Sequence, residues 1–222
     1  MNNEHTLIGN NGLTIGDLAS FWQAIAKEFS TFKNIYGYGL MNEPHDLTPE
    51  TSWFDMAQAS INAIREVDTN TLIMVGGNDW SSAERWIEQS DTLKYLKDPA
   101  NNLAFEAHVY FDKDASGTYK YSYEEEECYL EKGIDRVKPF VEWIKQNKFH
   151  GFIGEYGIPD NDPRWNETLD LFLGYLQENG INGTYWAAGP WWDSYFMAIT
   201  PKDGKDRPQM PIIEKYTSTF KK

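Results

Sequence analysis

Gly151-Phe-Ile-Gly-Glu-Tyr-Gly157 is a short apolar run, punctuated by glycine, that ends on a carboxylate, and a pattern of helical period follows it over 165–177. A run of four to eight apolar residues bounded by glycine reads as a buried strand. The couplet is repeated upstream and downstream. Apolar runs at 35–41, 72–75, 103–109, 152–155 and 183–187 alternate with longer amphipathic segments, which is the pattern of βα units around a parallel sheet. Five such units are counted.

The intervening helices carry their own start signals. Thr14 with Asp17 three residues on opens the first, and Leu18, Phe21, Trp22, Ile25, Ala26 and Phe29 give it an apolar stripe. Thr48 is placed to cap the second, with Pro49 at its first position and Phe54, Ala57, Ile61 and Ile64 on its buried face. Ser81-Ser-Ala-Glu84 and Ser122-Tyr-Glu-Glu125 have capping-box spacing and predict two further helix starts, and a short helix is expected over 212–216. The acidic run Glu124 to Glu127 then reads as a solvated first turn. No repeat, low-complexity tract or linker interrupts the chain, so residues 1–222 are read as one domain.

Composition narrows the partners. The 222 residues include 20 Lys and Arg against 34 Asp and Glu, a formal charge of −14, which repels nucleic-acid backbones and anionic membrane surfaces. No apolar stretch is long enough to cross a bilayer. The single Cys128 can form no internal disulfide, and neither paired cysteines nor an HExxH spacing offers a zinc site, so no metal is expected. Met1 to His5 are polar and acidic, unlike a signal peptide.

Every unusual polar cluster follows a strand, the end at which α/β barrels build their sites. Leu40-Met-Asn-Glu-Pro-His45 ends its strand on Asn42 and Glu43, and Pro44 is expected to hold Glu43 in an extended conformation. Alone, Glu43 reads as a surface carboxylate at a turn. Glu155, at the end of another strand, changes that reading, because two strand-end carboxylates converging across a curved sheet are the machinery of glycoside hydrolysis. His108 and Tyr110 alternate along their strand and so share a face with reach to Glu155 or a sugar hydroxyl. Trp22, Trp53, Trp86 and Trp143 sit in helical segments and read as packing. Trp80, Trp186, Trp191 and Trp192 lie at or after strand ends, where flat rings can stack on sugar faces.

These motifs, with Gly77-Asn-Asp-Trp80, His108-Val-Tyr-Phe-Asp-Lys-Asp-Ala-Ser-Gly117, Gly154-Glu-Tyr-Gly157 and Tyr185-Trp186, together resemble glycoside hydrolase family 5, and within it the endo-β-1,4-glucanases. The resemblance runs from about Ile8 to the C-terminus. It implies a truncated (β/α)8 TIM barrel of about five βα units, a retaining mechanism on β-glucan, Glu43 as acid/base and Glu155 as nucleophile. It further implies that Asn42 holds the sugar 2-hydroxyl, that His108 and Tyr110 orient nucleophile and substrate, and that Trp186, with Trp80 and Trp191, binds substrate. No cofactor is implied, and the location implied is extracellular.

Family members carry three βα units ahead of the Asn-Glu-Pro strand, including an Arg near the nucleophile and a His in a His-Asn-Tyr-like segment. A five-unit arc is therefore expected to show reduced activity, and to expose inward residues around Leu40, Val75 and Ile153. A homo-oligomer, most simply a dimer, is expected to cover that open face. The alternative is a glucan-binding or assembly fragment of little activity that needs a partner chain.

Overall fold

Strands β1 Gly37–Gly39, β2 Leu72–Gly76, β3 Leu103–Tyr110, β4 His150–Gly157 and β5 Asn182–Tyr185 lie side by side in chain order, every neighbouring pair parallel. The computed structural model describes residue 8 and residues 12–47, 51–192 and 194–217. Parallel neighbours in sequence order with helices in the crossovers are the winding of a (β/α)8 barrel, and five strands form a half-barrel arc of it.

The helices pack on the outer face of the arc. Helix α1, Ile15–Phe29, starts as its sequence predicts, with the Thr14–Asp17 capping box closed in both directions. Helix α2, Trp53–Arg65, is capped by Ser52, whose hydroxyl accepts from the Asp55 amide. The expected cap Thr48 and Pro49 lie outside the described residues. Tyr38, Leu40, Ile73, Val75, Phe105, Ala107 and Ile153 are buried beneath these helices. Trp86 centres the cover: its ring meets Phe140 at 4.6 Å and Trp143 at 5.5 Å, both edge-on. Trp53, Trp86 and Trp143 are thus packing residues, as expected, with Trp22 half-buried beside them.

Inward residues around Leu40, Val75 and Ile153 are expected to meet water; these three themselves are 2%, 0% and 0% exposed. Alternation explains it: they point outward to the helices, and Leu72, Met74 and Phe152 occupy the inner face, where they are half-buried. At the opposite end of the strands from the site, Arg65 makes a paired contact with Asp98, Nε to Oδ1 at 2.7 Å and Nη2 to Oδ2 at 3.0 Å, and also donates to the carbonyls of Asp68 and Thr71.

Two predicted helix starts are corrected. The Ser122–Glu125 hydrogen bonds form, but they close a turn, and the helix begins at Lys132 and runs to Asn147. Glu127 at φ +52 ends the turn, and Glu126 is buried with its carboxylate accepting from the Lys113 and Tyr121 amides, so the acidic run is not a solvated helix end. After β2 the chain turns through Asp79, Trp80 and Ser81, all at positive φ, before a short helix at Trp86–Ser90. Ser82 there bridges to His108 of β3, which draws the predicted capping segment into the sheet. The last two helices, Pro163–Glu178 and Met210–Tyr216, fall where expected.

Candidate active site

The ends of β1, β3 and β4 bring Glu43, His108, Tyr110 and Glu155 together. A register shift does the decisive work. Ala107 pairs with Ile153, but His108 pairs with Glu155, so Gly154 is an extra residue in β4; the same offset recurs against β5. Simple alternation from inward Phe152 would send Glu155 outward to the helices. The bulge restores it to the inner face and leaves Tyr156 to pack outward on Phe172. Gly154 also has no room for a side chain: a Cβ would lie 1.9 Å from Glu106 Oε1.

Glu43 reaches the same place from a strained turn. Its φ is +45°, not the extended conformation expected ahead of Pro44. A non-glycine residue in the left-handed region is held there by its surroundings, and such strain gathers at functional sites. Here the surroundings include the Trp80 amide, which donates to the Pro44 carbonyl, and His108 Nδ1, 2.7 Å from Glu43 Oε1.

The imidazole of His108 is only 4% exposed and is ringed by carboxylates: Glu43, Glu155 at 3.6 Å from Nδ1, and Glu106 at 3.6 Å from Nε2. Burial alone would push its pKa down. The contacts with Glu106 and Glu43 and the charge of Glu155 outweigh burial and hold it up at about 9. Tyr110 donates to Glu155 Oε2 at 2.7 Å, and its own pKa is raised by burial and by the Glu155 charge. Burial likewise raises the Glu155 carboxyl, while the His108 charge and the Tyr110 hydroxyl pull against it.

One donor atom each from Glu43, His108 and Glu155 lie within 4.8 Å of one another, the spacing of a cation site. Those donors already face one another: His108 meets Glu43, and Tyr110 occupies Glu155. The group is best described as a hydrogen-bonded network with a carboxylate oxygen from each of two strands less than 5 Å apart.

A cavity of about 490 Å³ opens beside Glu43 and is lined by Trp80, Arg85, His108, Tyr110 and Asp114 among others. Trp80 stacks on His45, ring centroids 4.5 Å apart at 11°, and is 40% exposed. Trp186 follows β5, its amide donating to Tyr156 and its ring 5.0 Å from Trp192; its peptide bond to Ala187 is cis. Asn42 is exposed at the end of β1, and Trp191 is 89% exposed.

Sequence reasoning missed Glu106, although its spacing two residues before His108 marks the same face. It also missed Arg136, whose guanidinium donates to the carbonyls of Tyr110, Asp112 and Lys113 and so fixes the end of β3. Its signal was absent because its helix was misplaced. Cys128 is half-buried, its thiol pushed up by burial, which suits a packing residue.

Comparison with known proteins gives the family. A family model described as cellulase (glycosyl hydrolase family 5) matches residues 1–191. Endo-beta-1,4-glucanase B of Emericella nidulans is 36% identical over 193 residues, covering 85% of this chain and 56% of the relative. The crystal structure of Pseudomonas stutzeri endoglucanase Cel5A in complex with cellobiose superposes with a TM-score of 0.90 at 40% identity, over 98% of this chain and 65% of that one. An endo-beta-1,4-glucanase from Xanthomonas axonopodis gives 0.84 at 34% identity, over 98% and 71%. The chain thus spans a little over half the length of the curated relative.

Proposed function

Because the chain belongs to glycosyl hydrolase family 5, we propose that it hydrolyses β-1,4-glucan internally and with retention, Glu155 acting as nucleophile and Glu43 as acid/base. The observation that carries this reading is the pair of carboxylate oxygens within 4.8 Å across the strand ends. Retaining glycosidases hold their carboxyl groups about 5 to 5.5 Å apart, whereas inverting ones leave room for a water between them.

In the first step Glu155 attacks the anomeric carbon while Glu43 gives its proton to the departing glycosidic oxygen. In the second, Glu43 takes a proton from water, which attacks the anomeric carbon and releases Glu155. Tyr110 holds Glu155 Oε2, so the other oxygen is free to attack. His108 lies between the two, Nδ1 2.7 Å from Glu43 and 3.6 Å from Glu155. Trp186 forms the floor under the sugar being attacked, Asn42 holds its 2-hydroxyl, Trp80 flanks the leaving-group side in the Glu43 cavity, and Trp191 meets the chain farther out. No cofactor enters. The cellobiose complex of the Pseudomonas relative supports the sugar class. A polymer of this kind is met outside the cell, which supports an extracellular location; no helix among the described residues is long and apolar enough to cross a membrane.

Release of reducing ends from carboxymethylcellulose tests the reading. Glu43→Gln and Glu155→Gln should each lower it by about a hundredfold or more, and full activity in either variant contradicts the assignment.

A second reading rests on Leu72, Met74 and Phe152, half-buried on the inner face, and on β1 and β5 as edges of the described sheet. We propose that a second copy covers this face, and a light-scattering mass on the active peak decides it: twice the 25.7 kDa chain mass supports the pair, and the single mass refutes it.

A further inference from the structure

Beneath the two carboxylates lies a third that the reaction does not consume. Glu106 stands two residues before His108 on β3, on the same inward face, with Oε1 3.6 Å from His108 Nε2. Its side chain lies in a slot over Gly154. A Cβ on Gly154 of β4 would strike Glu106 Oε1 at 1.9 Å, and one on Gly39 of β1 would sit 3.9 Å from Oε2. Only at Gly154 does the carboxylate take the place of a side chain; the distance at Gly39 is an ordinary contact.

The slot fixes what His108 can be. Nδ1 points at Glu43 Oε1, 2.7 Å away, and lies 3.6 Å from Glu155 Oε2, while Nε2 points at Glu106. While Glu43 is ionised, a neutral imidazole, with one bare nitrogen lone pair, aims that lone pair at a carboxylate in either orientation. A ring with both nitrogens protonated avoids this, and the imidazole is 4% exposed.

We propose that Glu106 is a positioning residue that holds His108 as an imidazolium between Glu43 and Glu155; this rests on the reading of those two carboxylates as the catalytic pair. The charged groups facing the ring are Glu43 from the turn after β1, Glu155 from β4 and Glu106 from its own strand. The resulting positive charge, 3.6 Å from Glu155, keeps the nucleophile anionic in a site whose burial otherwise favours its neutral form. The elevated His108 pKa of about 9 agrees with this.

The test is a pH titration of the His108 ring nitrogens by NMR on the 15N-labelled chain, read beside the acid limb of kcat/KM. Both nitrogens should be protonated at neutral pH, where an ordinary histidine at about 6.5 is mostly neutral. In Glu106→Gln the midpoint should fall from about 9 toward 6.5, and the acid limb should move to lower pH, because His108 is charged there in either chain and a carboxylate that raises Glu155 is gone. Glu106→Asp, which keeps the charge, should restore the midpoint in part. A bare nitrogen on His108 at neutral pH in the unaltered chain overturns the proposal, as does an unchanged midpoint in Glu106→Gln. Should Glu106→Gln fail to fold, the unaltered chain and Glu106→Asp decide the matter. The titration needs no turnover. A chain that hydrolyses glucan with a neutral His108 defeats this proposal alone, and a charged His108 in a chain whose Glu43→Gln and Glu155→Gln forms keep activity defeats only the catalytic assignment.

Discussion

The Tyr110 hydroxyl, carried on β3, donates to Glu155 Oε2 of the neighbouring β4 at 2.7 Å. It is one of two influences that draw the Glu155 pKa down against burial. Tyr110→Phe removes a hydrogen bond to a charged group, worth about 1.5 to 3 kcal/mol, so kcat/KM should fall roughly ten- to a hundredfold. The acid limb of its pH profile should also move to higher pH. A profile superimposable on that of the unaltered chain contradicts this role for Tyr110.

The strands were legible because each is a short apolar run closed by glycine or a polar cluster, and the two carboxylates were legible because they end such runs. The bulge at Gly154 was not, since β4 reads as a plain strand and nothing local says that one residue is left unpaired; only the neighbours' registers reveal it. The Ser122–Glu125 box misled for a similar reason. Its hydrogen bonds form as the sequence implies, but the chain leaves helical geometry at Glu127, and the helix proper starts later at Lys132. Glu43 shows tertiary context overriding local preference: Pro44 disfavours helical backbone before it, yet contacts with His108 and the 80 loop hold the turn left-handed.

His108 makes stability depend on pH. Its folded pKa of about 9 lies above the unfolded value of about 6.5, so the contribution is fully present below pH 6.5 or so and is lost as the pH rises toward 9. That loss amounts to up to about 3 kcal/mol. Urea midpoints measured across this window should decline in the unaltered chain and stay nearly level in His108→Gln. A midpoint that rises over the same window contradicts the sign.

Gly154→Ala places a methyl where Glu106 already sits. Overpacking of this kind costs about 1 to 3 kcal/mol. Much of that cost should vanish in a Glu106→Ala background, because the clash is with the carboxylate itself. Denaturant unfolding of the single and double variants reads the coupling directly, and strict additivity contradicts the shared slot.

Arg65 and Asp98 are 3% and 2% exposed and paired through two contacts. Asp98→Ala strands a buried guanidinium and should cost about 3 to 5 kcal/mol in equilibrium unfolding. Since the pair lies at the end of the strands opposite the site, kcat in the folded fraction should stay unchanged. A destabilisation below 1 kcal/mol or so contradicts the burial argument.

The central claim is that Glu155 forms a covalent bond to the sugar. An activated 2-fluoro cellobioside slows release of that intermediate, and peptide mapping by mass spectrometry then locates the sugar. One fluorocellobiosyl group is expected, on the peptide carrying Glu155 and absent in Glu155→Gln. A label on any other residue, or hydrolysis of cellulosic substrate that yields the α-anomer first with no label at all, contradicts it.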